Sequence, residues 1–194
     1  MRKLIALSLA GAAVSLAMAT PAVAAPMAND PMCNPGATKL TWTSVSKSWV
    51  VTHRKVLENY TGGVVTKTFS TKKVNEVTAS VTATAGTKVS GKVAIASLEA
   101  NVGLELKAEG KRTSTKEETV KYELSKKGTY VFFHGTKKAS GYYTQYRCDR
   151  GTKWVKTERY GKVKSWTSDV EGGLRCGDSV PKASLAATAK KKYC

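Results

Sequence analysis

Two histidines, His53 and His134, are the only imidazoles in the 194-residue chain, and imidazole is the group that general acid–base chemistry most often recruits. Both sit in runs of bulky residues, "SWVVTHRKV" and "TYVFFHGT", and are read there as packed or sheet-edge side chains. A serine triad would need one of them beside an acid and an activated serine, and no G-x-S-x-G elbow occurs. Carboxylate pairs are the other route: Glu105 with Glu109, or Glu117 and Glu118 with Glu123, could meet across strands as a glycosidase pair does. In a chain this rich in lysine, ion pairing to ammonium groups is the commoner fate of a glutamate. Two distant histidines and four cysteines do not build a metal site at the usual ligand spacing. The glycines fall where turns are expected and form no phosphate-cradling loop. The expectation is a protein that is not an enzyme, with no cofactor and no metal.

The cysteines have another use. Cys33, Cys148, Cys176 and Cys194 are even in number and spaced unlike a zinc ribbon, which in an exported protein reads as two disulfides. Four cysteines allow three pairings. Cys33 with Cys148 and Cys176 with Cys194 is preferred, because the second bond would tie down the lysine-rich tail.

Export is written at the N-terminus. Arg2 and Lys3 precede the apolar run 4–18, and Ala22, Val23, Ala24 and Ala25 follow Pro21 as a processing site requires. Residues 1–25 are therefore read as a secretory signal peptide, residues 26–38 as an extended segment holding three of the five prolines, and residues 39–194 as one β-rich domain. No later stretch approaches the ~20 apolar residues of a spanning helix. The mature protein is expected to be secreted and extracellular.

Lys and Arg total 32 against 14 acidic residues; without Arg2 and Lys3 the balance is 30 against 14, a net charge of +16. Such a charge speaks of partners and solubility rather than fold. It points to an anionic cell-wall polymer, lipid head groups, nucleic acid or an acidic protein. Tyr142, Tyr143, Tyr146, Arg147 and Arg150 come nearest to the interleaved basic and aromatic pattern of a nucleic-acid site. A tyrosine-rich strand explains them as well, and no specific nucleic acid is expected.

The elements that would carry these residues are mostly strands. Thr, Val and aromatic residues over 39–74, interrupted by Gly62-Gly63, predict a hairpin. From Val77 to Ala85 every odd position is Val or Ala and every even one Thr or Ser; from Leu98 to Ala108 alternation returns in the opposite phase. One strand cannot absorb that flip. Ile95, Leu98 and Val102 at helical spacing place a short helix or turn near 90–101 between two strands. Downstream, strands are predicted at 119–124, 129–134 and 141–148 with turns between them, then a pair through Gly161, a loop at Gly172-Gly173 and a short helix within 182–192. The fold class is mainly β: antiparallel sheets of hairpins, sandwich-like, with one short helix, stabilised by disulfides.

The pattern "VTASVTAT…KVAIASLEANVGLEL…GTYVFFHGTKKASGYYTQYRC", spanning 77–148, resembles a group of small exported actinobacterial proteins, among them the adaptor subunit of the umbrella toxin particles secreted by Streptomyces. The resemblance implies a non-catalytic antibacterial component joining a lectin-like subunit to the repeat ring of a large toxin chain, with its N-terminal peptide in a cleft of the lectin-like partner. By position that peptide corresponds to Pro26, Met27, Ala28, Asn29, Asp30, Pro31 and Met32. The functional expectation is a secreted binding or adaptor protein, docking through that peptide and through sheet edges near 129–147. The alternative is an aerolysin-like pore former inserting strands 77–85 and 98–108 into a membrane.

Overall fold

Alternating Thr, Val, Tyr and Lys favour strands, where branched and aromatic side chains pack well on a pleated surface. Seven form: β1 (Thr38–Asn59), β2 (Val65–Lys73), β3 (Ser80–Ala85), β4 (Glu118–Leu124), β5 (Gly128–Asp149), β6 (Lys153–Trp166) and β7 (Val170–Arg175). Helix α1 (Gly91–Val102) lies between β3 and β4, and α2 (Leu185–Tyr193) follows β7. The computed structural model describes residues 33–113 and 118–194. The chain divides into two units, Met1–Asp30 and Pro31–Cys194, and the described residues all belong to the second. The signal-peptide reading of 1–25 and the peptide from Pro26 to Met32 lie outside the described residues.

The strands form an antiparallel seven-stranded sheet in the order β3-β6-β5-β1-β2-β4, with β7 also on β5, so the mainly β expectation holds. β5 is its axis. One edge pairs with β1 from Asn59↔Gly128 to Thr38↔Arg147. The other takes β6 along Lys138 to Asp149 and β7 along Tyr130 to Gly135. The turn expected between His134 and Gly141 is therefore absent, and residues 129–147 are central rather than an edge. Pairing with β1 continues straight through Thr136 and Ser140, and the surplus residues bulge out of β1 instead, between Thr43 and Ser46 and between Val51 and His53.

Glycines that read as turn signals instead mark close approach. A Cβ on Gly141 would lie 3.0 Å from the Trp42 ring, and one on Gly173 would lie 2.7 Å from the Phe132 ring. Gly172 and Gly173 accordingly sit inside β7, opposite Phe133 and Phe132, where a loop was expected. The turn at Gly62 is real, with φ +75°, but the hairpin it closes is paired only at His53↔Lys73 and Arg54↔Lys72. β2 turns instead to β4, with which it pairs from Val65↔Leu124 to Thr71↔Glu118.

The second alternating run is not a strand. Ala94, Ile95, Leu98 and Val102 form the buried stripe of α1, which takes the first residues of that run, and Gly103 closes the helix in the left-handed region with its N–H on the Glu99 carbonyl, 2.8 Å. Residues 103–113 continue as irregular chain tied to the sheet by backbone hydrogen bonds: the Lys107 N–H donates to the Trp166 carbonyl, and the Ala79 N–H to that of Lys111. The helix thus absorbs the phase flip. It seats against Ala139, Tyr143, Val163 and Trp166.

α2 packs Leu185 and Ala189 on Val51, Val131, Phe133 and Leu174. Ser184 caps it, accepting from the Ala187 N–H at 3.0 Å, and Lys190, Lys191 and Lys192 occupy the last turn, where the helix dipole favours cations. Over the opposite face of the same end of the sheet, Phe69 of β2 and Tyr122 of β4 pack on Phe132, at 4.9 and 4.2 Å between ring centroids. This end is covered on both sides, and burial in β5 is unbroken from Val131 to Thr136. The disulfides are Cys33–Cys148 and Cys176–Cys194, the preferred pairing. They close loops of 115 and 18 residues, contributing about 5 and 3 kcal/mol in the chain-entropy account.

Leu98 is fully buried at the centre of the α1 core. Leu98→Ala is expected to cost about 2–5 kcal/mol, read as a lowered urea midpoint with an unchanged slope; a loss under about 0.5 kcal/mol would mean α1 is not part of the cooperative core.

Candidate binding face

At the α1 end of the sheet one face is covered and, among the described residues, the other is open. Residues directly opposite in antiparallel strands share a face, so the pairing register assigns the open one. Ser46, Ser140, Lys164 and Ser80 make one row across β1, β5, β6 and β3. Thr43, Tyr142, Lys162 and Thr82 make the next, and Ser48 stands opposite Lys138 on the far side of the first. None of these residues is buried. None is a carboxylate. Burial in β5 alternates here, with Ala139, Gly141 and Tyr143 beneath α1 and Lys138, Ser140 and Tyr142 outside, the signature of a sheet covered on one side only.

The open face is organised by its own contacts. The Lys162 ammonium lies 5.0 Å from the centroid of the Tyr142 ring, and Lys39 lies 4.3 Å from that of Trp154, both within cation–π range. Ser46 and Ser140 share a hydrogen bond of 3.0 Å. Residues 75–78, leading from β2 to β3, border a groove of about 580 Å³ whose lining includes Ser46, Ser80, Lys138, Ser140, Lys162 and Lys164. A smaller hollow of about 370 Å³ holds Gln145, Arg147 and Arg159; it has fewer hydroxyls and no crossing segment as a wall.

One carboxylate lines the groove, Glu76, and Lys73 neutralises it at 2.6 Å. The hydrogen bond and charge of Lys73 hold its pKa below the ordinary glutamate value, against a smaller opposing effect of burial. Among the described residues the groove therefore presents ammonium and hydroxyl groups with its one acid already paired.

The residues singled out for chemistry are scattered. His53 and His134 are buried, opposite each other on β1 and β5 with ring centroids 6.0 Å apart. His53 Nδ1 lies 3.1 Å from Thr52 Oγ1, and His134 Nδ1 lies 4.0 Å from Glu171. Both are packed in the sheet. Glu109 pairs with Lys88 and accepts from the Val81 N–H at 3.4 Å, the fate expected of a glutamate here. Glu123 is exposed on β4; Glu117 and the Glu118 side chain lie outside the described residues. No group of three His, Cys, Asp or Glu side chains converges as a metal site among the described residues.

The tyrosine–arginine set is split by the pleat. Tyr142 is 45% exposed on the open face, whereas Tyr143 is 1% exposed in the α1 core, and Arg147 lines the smaller hollow. These five residues do not form one surface. What the sequence reading missed were Lys162 and Lys164 flanking Val163, and their companion Lys138. The signal was there: "KVK" places two lysines on one face of a strand with the valine beneath.

No protein-family model matches the chain, and no curated protein matches it. Among solved structures it is similar to the crystal structure of the parasporin-2 Bacillus thuringiensis toxin that recognizes cancer cells, at 11% identity over 72% of this chain and 74% of that one, with a TM-score of 0.31. A likeness of that degree carries no argument about function.

Because Glu76 has a lowered folded pKa, its contribution to stability is present above the ordinary glutamate pKa and disappears as pH falls through the folded value. Glu76→Gln should therefore melt below the wild type at neutral pH, with the gap closing as pH drops under the glutamate range. A gap constant across that window would show that the Lys73 pair is not the cause.

Proposed function

We propose that the mature chain is a secreted, non-enzymatic binding protein of the adaptor type, whose uncovered face docks onto an anionic partner. One observation carries this reading: an open sheet face of lysine, serine, threonine and tyrosine without a carboxylate in its two central rows. Complementary charge accelerates encounter and fixes register between partners. The two disulfides are compatible with an extracellular setting. In the toxin-complex form of the reading, the partners are a lectin-like subunit and a large repeat-containing toxin chain, and the peptide from Pro26 to Met32 makes the first of the two contacts.

A second reading, pore formation, has support from a different place than the sequence suggested. Residues 98–108 are no strand, so the pair 77–85 and 98–108 is lost as an inserting hairpin. The β2–β4 ribbon takes its place. Phe69, Tyr122 and Leu124 face inward while Thr66, Thr68, Thr119 and Lys121 are exposed, and the ribbon is tied to β1 at two residue pairs. Its apolar side is stacked on Phe132, and burial there pushes the Tyr122 phenol up, with Glu171 adding to the effect.

Purification of tagged protein from culture medium is expected to recover partner chains, and deleting residues 25–32 to abolish recovery of the lectin-like one; a lone monomer would defeat the adaptor reading. Liposomes with and without anionic lipid should retain an entrapped dye in the presence of the protein. Leakage at submicromolar protein, abolished by a disulfide between β2 and β1, would establish the pore instead.

A further inference from the structure

We infer that the groove between residues 75–78 and the open sheet face binds a linear polyol phosphodiester chain, the anionic polymer class of bacterial envelopes. The inference rests on the binding-protein reading and names the ligand of the same face.

Lys138, Lys162 and Lys164 converge on the groove, and its carboxylate, Glu76, is held by Lys73, so the ligand is an anion. Among the described residues the cations lining the groove are lysines, and Arg112, opposite Thr78, is close enough to Glu76 to help lower its pKa. An ammonium is a compact point charge with rotatable donors and a common phosphate ligand, suited to the repeated tetrahedral acceptors of a phosphodiester chain. Ser46, Ser80 and Ser140 add hydroxyls that both donate and accept, the complement of a polyol's own hydroxyls.

The aromatic groups argue against a nucleic acid. Single strands are held by stacking bases on free ring faces. No aromatic side chain is among the described residues that line the groove, so its floor is charged and hydroxylated and gives bases no ring to stack on.

Spacing completes the case. Lys162 and Lys164 lie on one face two residues apart on β6, roughly 6.6 Å by strand rise. Lys138 stands opposite Trp166 on the neighbouring strand, two residues further along and one strand across from Lys164, about 8 Å away by the same geometry. The three form a bent line with a step short enough for consecutive phosphates separated by a three- to five-carbon polyol. A chain of that kind lies in the groove with one phosphate on each ammonium and its hydroxyls on the serines.

Isothermal titration of the oxidised, processed protein with poly(glycerol phosphate), polygalacturonate and oligo-dT of matched charge tests this. Poly(glycerol phosphate) is expected to bind at least tenfold more tightly than the other two, and Lys162→Glu/Lys164→Glu to weaken it tenfold or more with an unchanged melting temperature. The control Lys92→Glu/Lys191→Glu, which makes the same change in net charge elsewhere, is expected to bind as the wild type does. Should the control weaken binding as much, diffuse charge is responsible and the groove is not the site. Equal affinity for polygalacturonate or oligo-dT overturns the ligand class and leaves the binding-protein reading standing. With no polymer bound, recovery of partner chains from medium separates failure of this inference from failure of the reading itself. Single Lys138→Gln, Lys162→Gln and Lys164→Gln variants, each losing severalfold in affinity, keep the test decisive if the double variant does not fold.

Discussion

The double-sided pairing of β5 is the constraint on which the rest of the structure depends. A 22-residue strand is far longer than is usual, and it persists because both its edges are occupied for almost its whole length: β1 on one side, β6 and β7 end to end on the other. Gly135 has ladder partners on each side, and Gly141 lies between residues that do, so a turn at either would break two ladders at once. The mismatch between unequal strands is taken up by the partners of β5: β1 has two bulges and a positive φ at Ser44, and β6 has an irregularity opposite Thr144 and Tyr146. From this axis the two ends of the sheet acquire different fates.

At one end α2 and the β2–β4 ribbon cover opposite faces, and burial is continuous. At the other, α1 covers one face and nothing covers the second among the described residues. The difference follows from volume and charge. α1 offers Ile95, Leu98 and Val102 to Tyr143 and Val163, a stripe wide enough for one face only, while the outer rows carry ammonium and hydroxyl groups whose burial without partners would cost several kcal/mol. A sheet so patterned is stable with that side in water or against an anion.

The chain's excess of positive charge is thus not spread evenly in its consequences. Two acids of the α1 side are engaged with their own neighbours: Glu109 with Lys88, and Glu99 with the Leu106 N–H at 2.9 Å. Asp178 is likewise taken by Arg175 near the second disulfide, and the hydrogen bond from that guanidinium holds its carboxyl below the ordinary range. Among the described residues the open face has lysines without acids to answer them, and this local imbalance, rather than the chain's total of +18, gives the surface its direction.

Strands, the α1 and α2 helices and the disulfide chemistry were legible in the sequence because each rests on local signals: alternation of Thr with Val, helical spacing of Ile95, Leu98 and Val102, an even set of cysteines. Whether Leu98 and Val102 served a strand or a helix was not, since both periods fit the same run and only packing against Tyr143 and Val163 decides between them. Glycines misled for a related reason. Gly141, Gly172 and Gly173 look like turns until the rings of Trp42, Phe133 and Phe132 are set against them, contacts that come from distant parts of the chain. The binding face lay furthest from view, for a row such as Ser46, Ser140, Lys164 and Ser80 is assembled from four strands. Sequence determines which way each side chain points along its own strand; register across strands, set by the long pairing of β5, decides which of them stand together.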